Sequence, residues 1–216
     1  LKAPNKHADK SVLQAARLNF FELKNYAEAE QLFAQLKGLA NTPDIRLEAM
    51  RGLLRSQYRL NKWIEAVPNA RDLLAQKGIA TDDKMMANMV IAKSAQQDGR
   101  LADAANTYQI VVGLGKSEFA AEALYQIADI YYQQTNYVAA EKAAFDVIKK
   151  GGSYEYWTTS AYILLGDIYW KQKDYFNAEA TFKSVSENAT DAELKDKAFV
   201  KLRAVIDEKN KASKVE

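Results

Sequence analysis

The sequence predicts an all-α fold made of about five helical hairpins in a row, followed by a C-terminal capping helix. Three observations predict it. The pattern Tyr-x-x-Ala-Glu at Tyr137–Glu141 returns 38 residues later at Tyr175–Glu179. Apolar residues on both sides of each copy recur at spacings of three and four, which is the period of one helix face. Only 3 prolines and 9 glycines interrupt the 216 residues, which is typical of long helices with short connections.

Related marks extend the repeat along most of the chain. An aromatic residue followed three positions later by alanine also occurs at Tyr26 and Trp63, and a weaker version occurs at Leu101. Successive marks are 37, 38, 36 and 38 residues apart, a period that is the signature of a repeat architecture. We therefore divide the chain into a tail or the end of a preceding helix (1–9), five hairpins (about 10–45, 46–82, 83–118, 119–154 and 155–193), a capping helix (194–209) and a frayed tail (210–216).

Each hairpin has one helix before the mark and one after it. In the fourth hairpin these helices have apolar faces formed by Leu124, Ile127, Ala128 and Tyr131, and by Ala140, Ala144, Val147 and Ile148. Small residues such as Ala128 and Gly166 let the two helices approach closely, and the aromatic ring of the mark fills the wedge where they diverge. One hairpin cannot bury its apolar face alone, so neighbouring hairpins must stack.

The helix ends are predicted from glycines and polar residues. Glycine is expected in the left-handed conformation that ends a helix at Gly38, Gly78, Gly115 and Gly152. Thr81 or Asp82 is expected to cap the helix that follows. The capping helix is predicted to bury Leu194, Ala198, Leu202, Val205 and Ile206, and to expose Lys195, Lys197, Lys201, Arg203 and Asp207.

The first hairpin is apolar on nearly every side, because Val12, Leu13, Ala16, Leu18, Phe20, Phe21 and Leu23 all fall in its first helix. A helix that is apolar all round is normally buried on more than one side. The chain starts at Leu1 rather than Met, so we expect a processed form or a segment of a longer protein. Either further hairpins precede Leu1 or a second copy of the chain packs against the first hairpin, as a homo-oligomer.

The chain resembles the tetratricopeptide repeat family over about residues 10–192. The match is closest in residues 161–185, at Tyr162, Leu165, Gly166, Tyr169, Tyr175, Ala178 and Phe182. Leu54 stands where the family has a small residue, and Leu101 replaces the aromatic mark. The resemblance implies a right-handed superhelix, no intrinsic catalysis, no cofactor, and a protein or peptide bound on the concave side. The spacing is similar to that of bacterial cell-envelope members, which favours a periplasmic or outer-membrane-associated location.

Composition argues against several other classes of protein. The net charge is +2, which gives no whole-molecule field for nucleic acid. There is no cysteine and a single histidine, His7, so thiol nucleophiles, catalytic triads and histidine-rich metal sites are not expected. No apolar run approaches the ~20 residues of a transmembrane helix. The segment Gly113–Ser117 resembles the end of a phosphate-binding loop, but Ile110 stands where that motif requires glycine.

The resemblance places the partner-binding surface on the first helix of each hairpin. Its predicted residues are Arg51, Arg55, Tyr58, Arg59, Met86, Met89, Lys93, Tyr125, Asp129, Tyr132, Asp167 and Trp170. Arg51, Arg55 and Arg59 lie four apart on one stripe, where like charges repel. Such a stripe suits an acidic partner, because arginine binds carboxylates bidentately. Alternatively, acids of the chain such as Glu48 and Glu22 neutralise it. The aromatic and methionine residues are expected to be exposed, as at interface cores.

Two other functions compete with a protein-interaction scaffold. In a glycan-binding module of a bacterial envelope or nutrient-uptake system, Tyr125, Tyr132 and Trp170 would stack on sugar rings. In a hydrolase, the equivalent residues Asp129 and Asp167 would share acid–base work, since stacked helices place them at a suitable separation. Nothing around this pair in the sequence separates their pKa values, so a polar groove lining is the simpler interpretation.

Overall fold

The predicted all-α fold is confirmed. The computed structural model describes residues 8–212, which form eleven α-helices, one π-helical segment and no strand. The elements are α1 (Ala8–Arg17), the π segment (Leu18–Glu22), α2 (Tyr26–Leu39), α3 (Pro43–Arg59), α4 (Trp63–Leu74), α5 (Thr81–Gln97), α6 (Leu101–Leu114), α7 (Glu118–Gln133), α8 (Tyr137–Lys150), α9 (Glu155–Lys171), α10 (Tyr175–Asn188) and α11 (Ala192–Ala212).

These residues divide into two compact units, with the boundary between Thr107 and Tyr108 inside α6. In the first unit α1 packs on α2, α2 on α3, α3 on α4 and α4 on α5. In the second unit α7 packs on α8, and each helix from α8 to α10 packs on the next. Each of these helices therefore packs against its neighbours in the sequence within its own unit.

The π segment accommodates one extra residue between the buried small residue and the mark of the first hairpin. In the later hairpins the residue nine positions before the mark is buried: Leu54, Ala92, Ala128 and Gly166. Nine positions before Tyr26 lies Arg17, which is exposed, whereas Ala16 is fully buried. A π-helical turn absorbs one extra residue in a helix, so Ala16 takes the buried position ten residues before the mark.

The same turn conformation precedes every second helix. The residue two positions before each mark has a positive φ: Lys24 (54°), Asn61 (56°), Gly99 (75°), Thr135 (58°) and Lys173 (62°). After α7, the amide of Thr135 donates to the carbonyl of Tyr132 at 2.9 Å and the amide of Asn136 donates to the carbonyl of Tyr131 at 3.0 Å. These bonds satisfy the last carbonyls of the helix. The repeat therefore extends to the backbone of the turns.

Two predicted helix ends are wrong. Gly38 lies inside α2 and has no positive φ, because the helix continues to Leu39. Gly78, Gly115 and Gly152 do have positive φ values of 68°, 147° and 55°. Neither Thr81 nor Asp82 caps α5: Thr81 is already its first helical residue, and the N-cap position belongs to Ala80, which has no capping side chain.

The aromatic marks pack against the end of the preceding helix. The ring of Trp63 lies 5.0 Å from that of Tyr58, and the ring of Tyr137 lies 5.9 Å from that of Tyr132. The marks themselves are only half-buried. The rings therefore fill the outer part of the wedge between the two helices, whereas small and aliphatic residues fill the inner part.

Side-chain volumes are matched between helices. A methyl group added at Gly52 would fall on the ring of Phe33 from α2, and one added at Gly166 would lie 2.5 Å from the ring of Phe182 from α10. Both rings are buried. In α8, Ala144 stands at the position of these rings, and the larger Leu164 of α9 belongs to the same core cluster. The helices can approach because a large residue on one is paired with a small residue on the other.

The glutamates of the repeated motif, which occur in α2, α8 and α10, tie these three helices to the part of the chain that follows. Glu30 accepts from Gln57 at 3.2 Å and from Lys62 at 2.6 Å. Glu141 accepts from the hydroxyl of Tyr169 at 3.1 Å. Glu179 lies 2.9 Å from the ammonium of Lys209. The recurrence of Tyr-x-x-Ala-Glu therefore has a physical cause, since its last residue bridges to the next part of the array.

Helix α11 closes the second unit as predicted, apart from one residue. Leu194, Ala198 and Val205 are buried and Leu202 is partly buried in one cluster with residues of α10. Lys201 was predicted on the exposed side, and this is wrong, because it lies seven residues after Leu194 on the same face. Its ammonium is 2.6 Å from Asp167 of α9. The helix runs from Ala192 to Ala212, beyond the predicted span at both ends.

The first unit exposes apolar surface around the π segment. Leu18, Phe21 and Leu23 are 51%, 49% and 61% exposed. Burial of this surface by preceding hairpins or by a second copy stays a prediction.

Candidate partner-binding surfaces

The first arginine of the predicted stripe is paired within the chain. The Nε atom of Arg51 lies 2.6 Å from Oδ2 of Asp83 at the start of α5, and the Asp83 side chain is only 3% exposed. Removing one partner from such a pair would leave an uncompensated buried charge, so Arg51 holds α3 to α5. Glu48, considered in the sequence as a neutralising acid, instead pairs with Arg17 at 3.0 Å.

The other two arginines carry unsatisfied charge. Arg55 is half-buried and Arg59 is exposed, and neither forms an ion pair or a hydrogen bond with another residue between 8 and 212. They lie one helical turn apart, about 6 Å along the axis. We call these two residues the α3 arginine face. Two guanidinium groups at this separation can hold two carboxylates of a bound segment, each through paired hydrogen bonds.

An aromatic pair adjoins the α3 arginine face in the sequence. Tyr58 near the end of α3 meets Trp63 at the start of α4 edge to face. The ammonium of Lys93 from α5 lies 5.0 Å from the centre of the Trp63 ring and 5.9 Å from that of the Tyr58 ring. At such distances a cation is attracted to the ring faces. Side chains from three helices therefore meet here, and the ammonium of Lys93 already interacts with two aromatic rings of the chain.

The expectation that Met86 and Met89 are exposed is wrong. They are 3% and 0% exposed. The physical reason is that α5 is buried around most of its circumference, as the burial of Met85, Met86, Ala87, Met89, Val90 and Ala92 shows. Helical periodicity alone assigned these methionines to a free face that α5 does not have.

In the second unit, Asp129 and Asp167 are held by different donors. The side-chain amide of Gln133 donates to Asp129 at 2.6 Å, and the ammonium of Lys201 donates to Asp167 at 2.6 Å. Burial raises the pKa of both carboxyl groups above the ordinary value, although these hydrogen bonds and the charge of Lys197 oppose the rise. Because both shifts have the same direction, the directions do not assign one carboxyl group as an acid and the other as a base.

The predicted aromatic residues of the second unit are engaged by other parts of that unit. The ring of Tyr125 lies 5.5 Å from that of Trp157, whose buried indole N–H has no partner within the described residues. Burial raises the pKa of Tyr125, and it raises the pKa of Tyr132 to about 12. The indole N–H of Trp170 donates to Glu208 of α11 at 2.8 Å, and Glu208 also accepts from Tyr175 at 3.1 Å.

Helix α11 thus reaches two predicted binding residues of the fifth hairpin, Asp167 through Lys201 and Trp170 through Glu208. Neither contact is predicted by the sequence pattern of the repeat. The signal was available in the spacing, since Lys201 and Glu208 are seven residues apart and therefore lie on one side of α11.

No cluster of metal-ligating side chains is found in the part of the chain that the structure describes. Residues 8–212 contain no group of three or more His, Asp or Glu side chains that could hold a metal ion. His7 lies outside the described residues. Among the described helices, none is long and apolar enough to cross a bilayer.

Comparison with known proteins identifies the repeat. One family model described as "Tetratricopeptide repeat" matches residues 89–156, and another with the same description matches residues 159–189. The resemblance inferred from the sequence is therefore confirmed. No match was found among curated protein sequences.

Solved structures share the fold at low sequence identity. A thermophilic TPR protein of Thermus thermophilus is 18% identical, with a TM-score of 0.58, and the match covers 90% of this chain and 99% of that one. A tetratricopeptide repeat protein of Parabacteroides merdae is 16% identical, with a TM-score of 0.63 and coverage of 93% and 78%. Yeast Tom70 is 18% identical, with a TM-score of 0.64 and coverage of 94% and 40%. These likenesses concern the fold.

Proposed function

This chain belongs to the tetratricopeptide repeat proteins, and we propose that it is a non-catalytic interaction scaffold in which the α3 arginine face binds acidic side chains of a partner protein. Protein binding is the general role of such repeats, and the matched repeats at residues 89–156 and 159–189 support it here. We also propose that the chain is part of a longer array, which would cover the exposed apolar residues Leu18, Phe21 and Leu23.

The unpaired charge of Arg55 and Arg59 carries the proposal. Arg51 on the same helix is neutralised by Asp83, whereas Arg55 is half-buried and has no acidic partner among the described residues. Half-burial weakens the hydration of a guanidinium group without replacing it. A carboxylate from a bound segment would restore the lost interaction and would also relieve the repulsion between the two arginines.

The two competing functions have less support. A glycan site would need free ring faces, but the rings of Tyr125, Tyr132 and Trp170 contact those of Trp157, Tyr137 and Phe182. A hydrolase would need Asp129 and Asp167 available to a substrate, but Asp129 accepts a hydrogen bond from Gln133 and Asp167 is paired with Lys201. We therefore propose no activity for either group.

The proposal can be tested with a displayed library of peptides, each about four helical turns long, in two classes, one rich in Asp and Glu and one rich in Lys and Arg. Binders selected on the wild-type chain would be measured against R55E/R59E by fluorescence anisotropy. The matched control is Arg46→Glu, because Arg46 is an exposed arginine of α3 about 180° around the helix from Arg55.

We expect acidic peptides to be selected, and we expect R55E/R59E to weaken them by about tenfold or more, which is about 1.4 kcal/mol or more. R46E should leave the affinity within about twofold. If both variants lost the same affinity for the peptide, the loss would follow from the net charge of the chain. That result would contradict a site on the α3 arginine face. Selection of basic peptides would contradict it as well.

A further inference from the structure

The outward side of α8 presents an apolar and basic stripe that the proposed function does not use. Val138, Lys142, Phe145 and Lys149 follow one another at spacings of four, three and four, and all four are exposed. Val138 is 78% exposed and Phe145 is 49% exposed. The buried side of the helix is formed by Ala140, Ala144 and Val147. We call the four exposed residues the α8 stripe.

The free charge of the α8 stripe is positive. The two acids of this part of α8 are engaged within the unit, since Asp146 lies 2.9 Å from the ammonium of Lys150 and Glu141 accepts from Tyr169. Lys142 and Lys149 form no ion pair or hydrogen bond with the residues that the structure describes. Two unpaired lysines therefore flank Phe145.

The surface beside the α8 stripe is indented on its α7 side. A cleft of about 300 Å³ has Leu124 and Ile127 of α7 and Ala143 of α8 in its lining. Lys142 of the stripe lines the same cleft. An apolar side chain of a bound segment thus has a recess to enter next to a lysine of the stripe.

We propose that the α8 stripe docks an amphipathic helix of a partner protein, with an apolar face that covers Val138 and Phe145 and acidic residues that meet Lys142 and Lys149. From Val138 to Lys149 the stripe extends about 16 Å along the helix axis, which matches about three turns of a partner. Anchors at spacings of three, four and seven are the ordinary way in which a helix binds such a surface.

Charge complementarity selects this occupant over a second copy of the chain. Two copies joined through the α8 stripe would bring unpaired lysines together, which costs specificity and affinity. A membrane surface also attracts lysines beside apolar residues. However, the cleft between the α8 stripe and α7 fits an individual apolar side chain, which a lipid surface does not supply.

The test uses a displayed library of amphipathic helices about five turns long, with leucine on one face and either Glu or Lys at the flanking positions. The chain would carry R55E/R59E, so that the α3 arginine face does not contribute. Affinities of the selected helices would be measured for V138S/F145S and for K142E/K149E in the same background. Phe176→Ser is the matched control, because Phe176 occupies the position in α10 that Val138 occupies in α8, and it is 76% exposed.

We expect Glu-flanked helices to be selected and both double variants to weaken them by about tenfold or more, whereas F176S keeps the affinity. Because all the replaced side chains are exposed, circular dichroism should show unchanged folding. Failure to select Glu-flanked helices, or equal binding by V138S/F145S, would overturn the proposal. It would also be overturned if these variants abolished a concentration-dependent dimer, or abolished sedimentation with vesicles of anionic lipid, while no peptide bound.

Discussion

Replacing Gly166 by alanine tests the volume matching that brings the helices together. The added methyl group would lie 2.5 to 2.8 Å from three carbon atoms of the buried Phe182 ring. Overpacking of this kind costs about 1–3 kcal/mol, while alanine gains about 1 kcal/mol over glycine through helix propensity. The net expectation is a loss of about 0–2 kcal/mol in the free energy of unfolding.

The matched control is Gly113→Ala in α6, which belongs to the same unit and has no atom within 4 Å of the added methyl group. This variant should gain up to about 1 kcal/mol. Urea unfolding followed by far-ultraviolet circular dichroism would compare the two, and shortening the ring with Phe182→Leu should recover part of the Gly166→Ala loss. If Gly166→Ala stabilised the chain as much as Gly113→Ala does, the close approach of α9 and α10 would be contradicted.

Three further variants test other parts of the structure. Thr135→Gly should raise the free energy of unfolding by about 1 kcal/mol, since a β-branched residue at a φ of 58° is strained; an unchanged urea midpoint would argue against that turn. Tyr169→Phe should cost about 0.5–1.5 kcal/mol by removing the bond to Glu141, and in a double-mutant cycle it should cost much less once Glu141 is Ala, which has no acceptor. Burial raises the pKa of Asp129 above 3.8 in the folded chain, so the free energy of unfolding of wild type should fall as the pH rises from below 3.8 through that raised pKa. Asp129→Asn has no carboxyl group to ionise, so its stability relative to wild type should rise over the same pH range. A pH-independent difference between the two unfolding curves would contradict the burial of this carboxyl group.

The repeat and the all-α fold could be predicted from the sequence because they depend on periodicity. Spacings of three and four locate helix faces, and the recurrence of the marks locates the hairpins. Periodicity gave a wrong prediction where neighbouring helices bury more than one face of a helix. Met86 and Met89 were assigned to a free face, but α5 is buried nearly all round. The pairing of Phe33 with Gly52 likewise depends on two helices that are separated in sequence.

The candidate site was less predictable because its charges are satisfied over long sequence distances. Asp83 lies 32 positions after Arg51, and Lys201 lies 34 positions after Asp167, so neither partner falls within one helix or one hairpin. The π segment hid the equivalence of Ala16 with later small residues by shifting it one position. The positive φ at Lys24, Thr135 and Lys173 left no sequence signal, since these residue types rarely adopt it, whereas Asn61 and Gly99 are of types that do.

The most direct test of the proposed function is the affinity of one selected acidic peptide for the wild-type chain, R55E/R59E and R46E, measured side by side at the same ionic strength. If the α3 arginine face binds the partner, affinity falls by about tenfold or more in R55E/R59E and stays within about twofold in R46E. Equal affinity for the wild-type chain and R55E/R59E would show that Arg55 and Arg59 do not form the binding site.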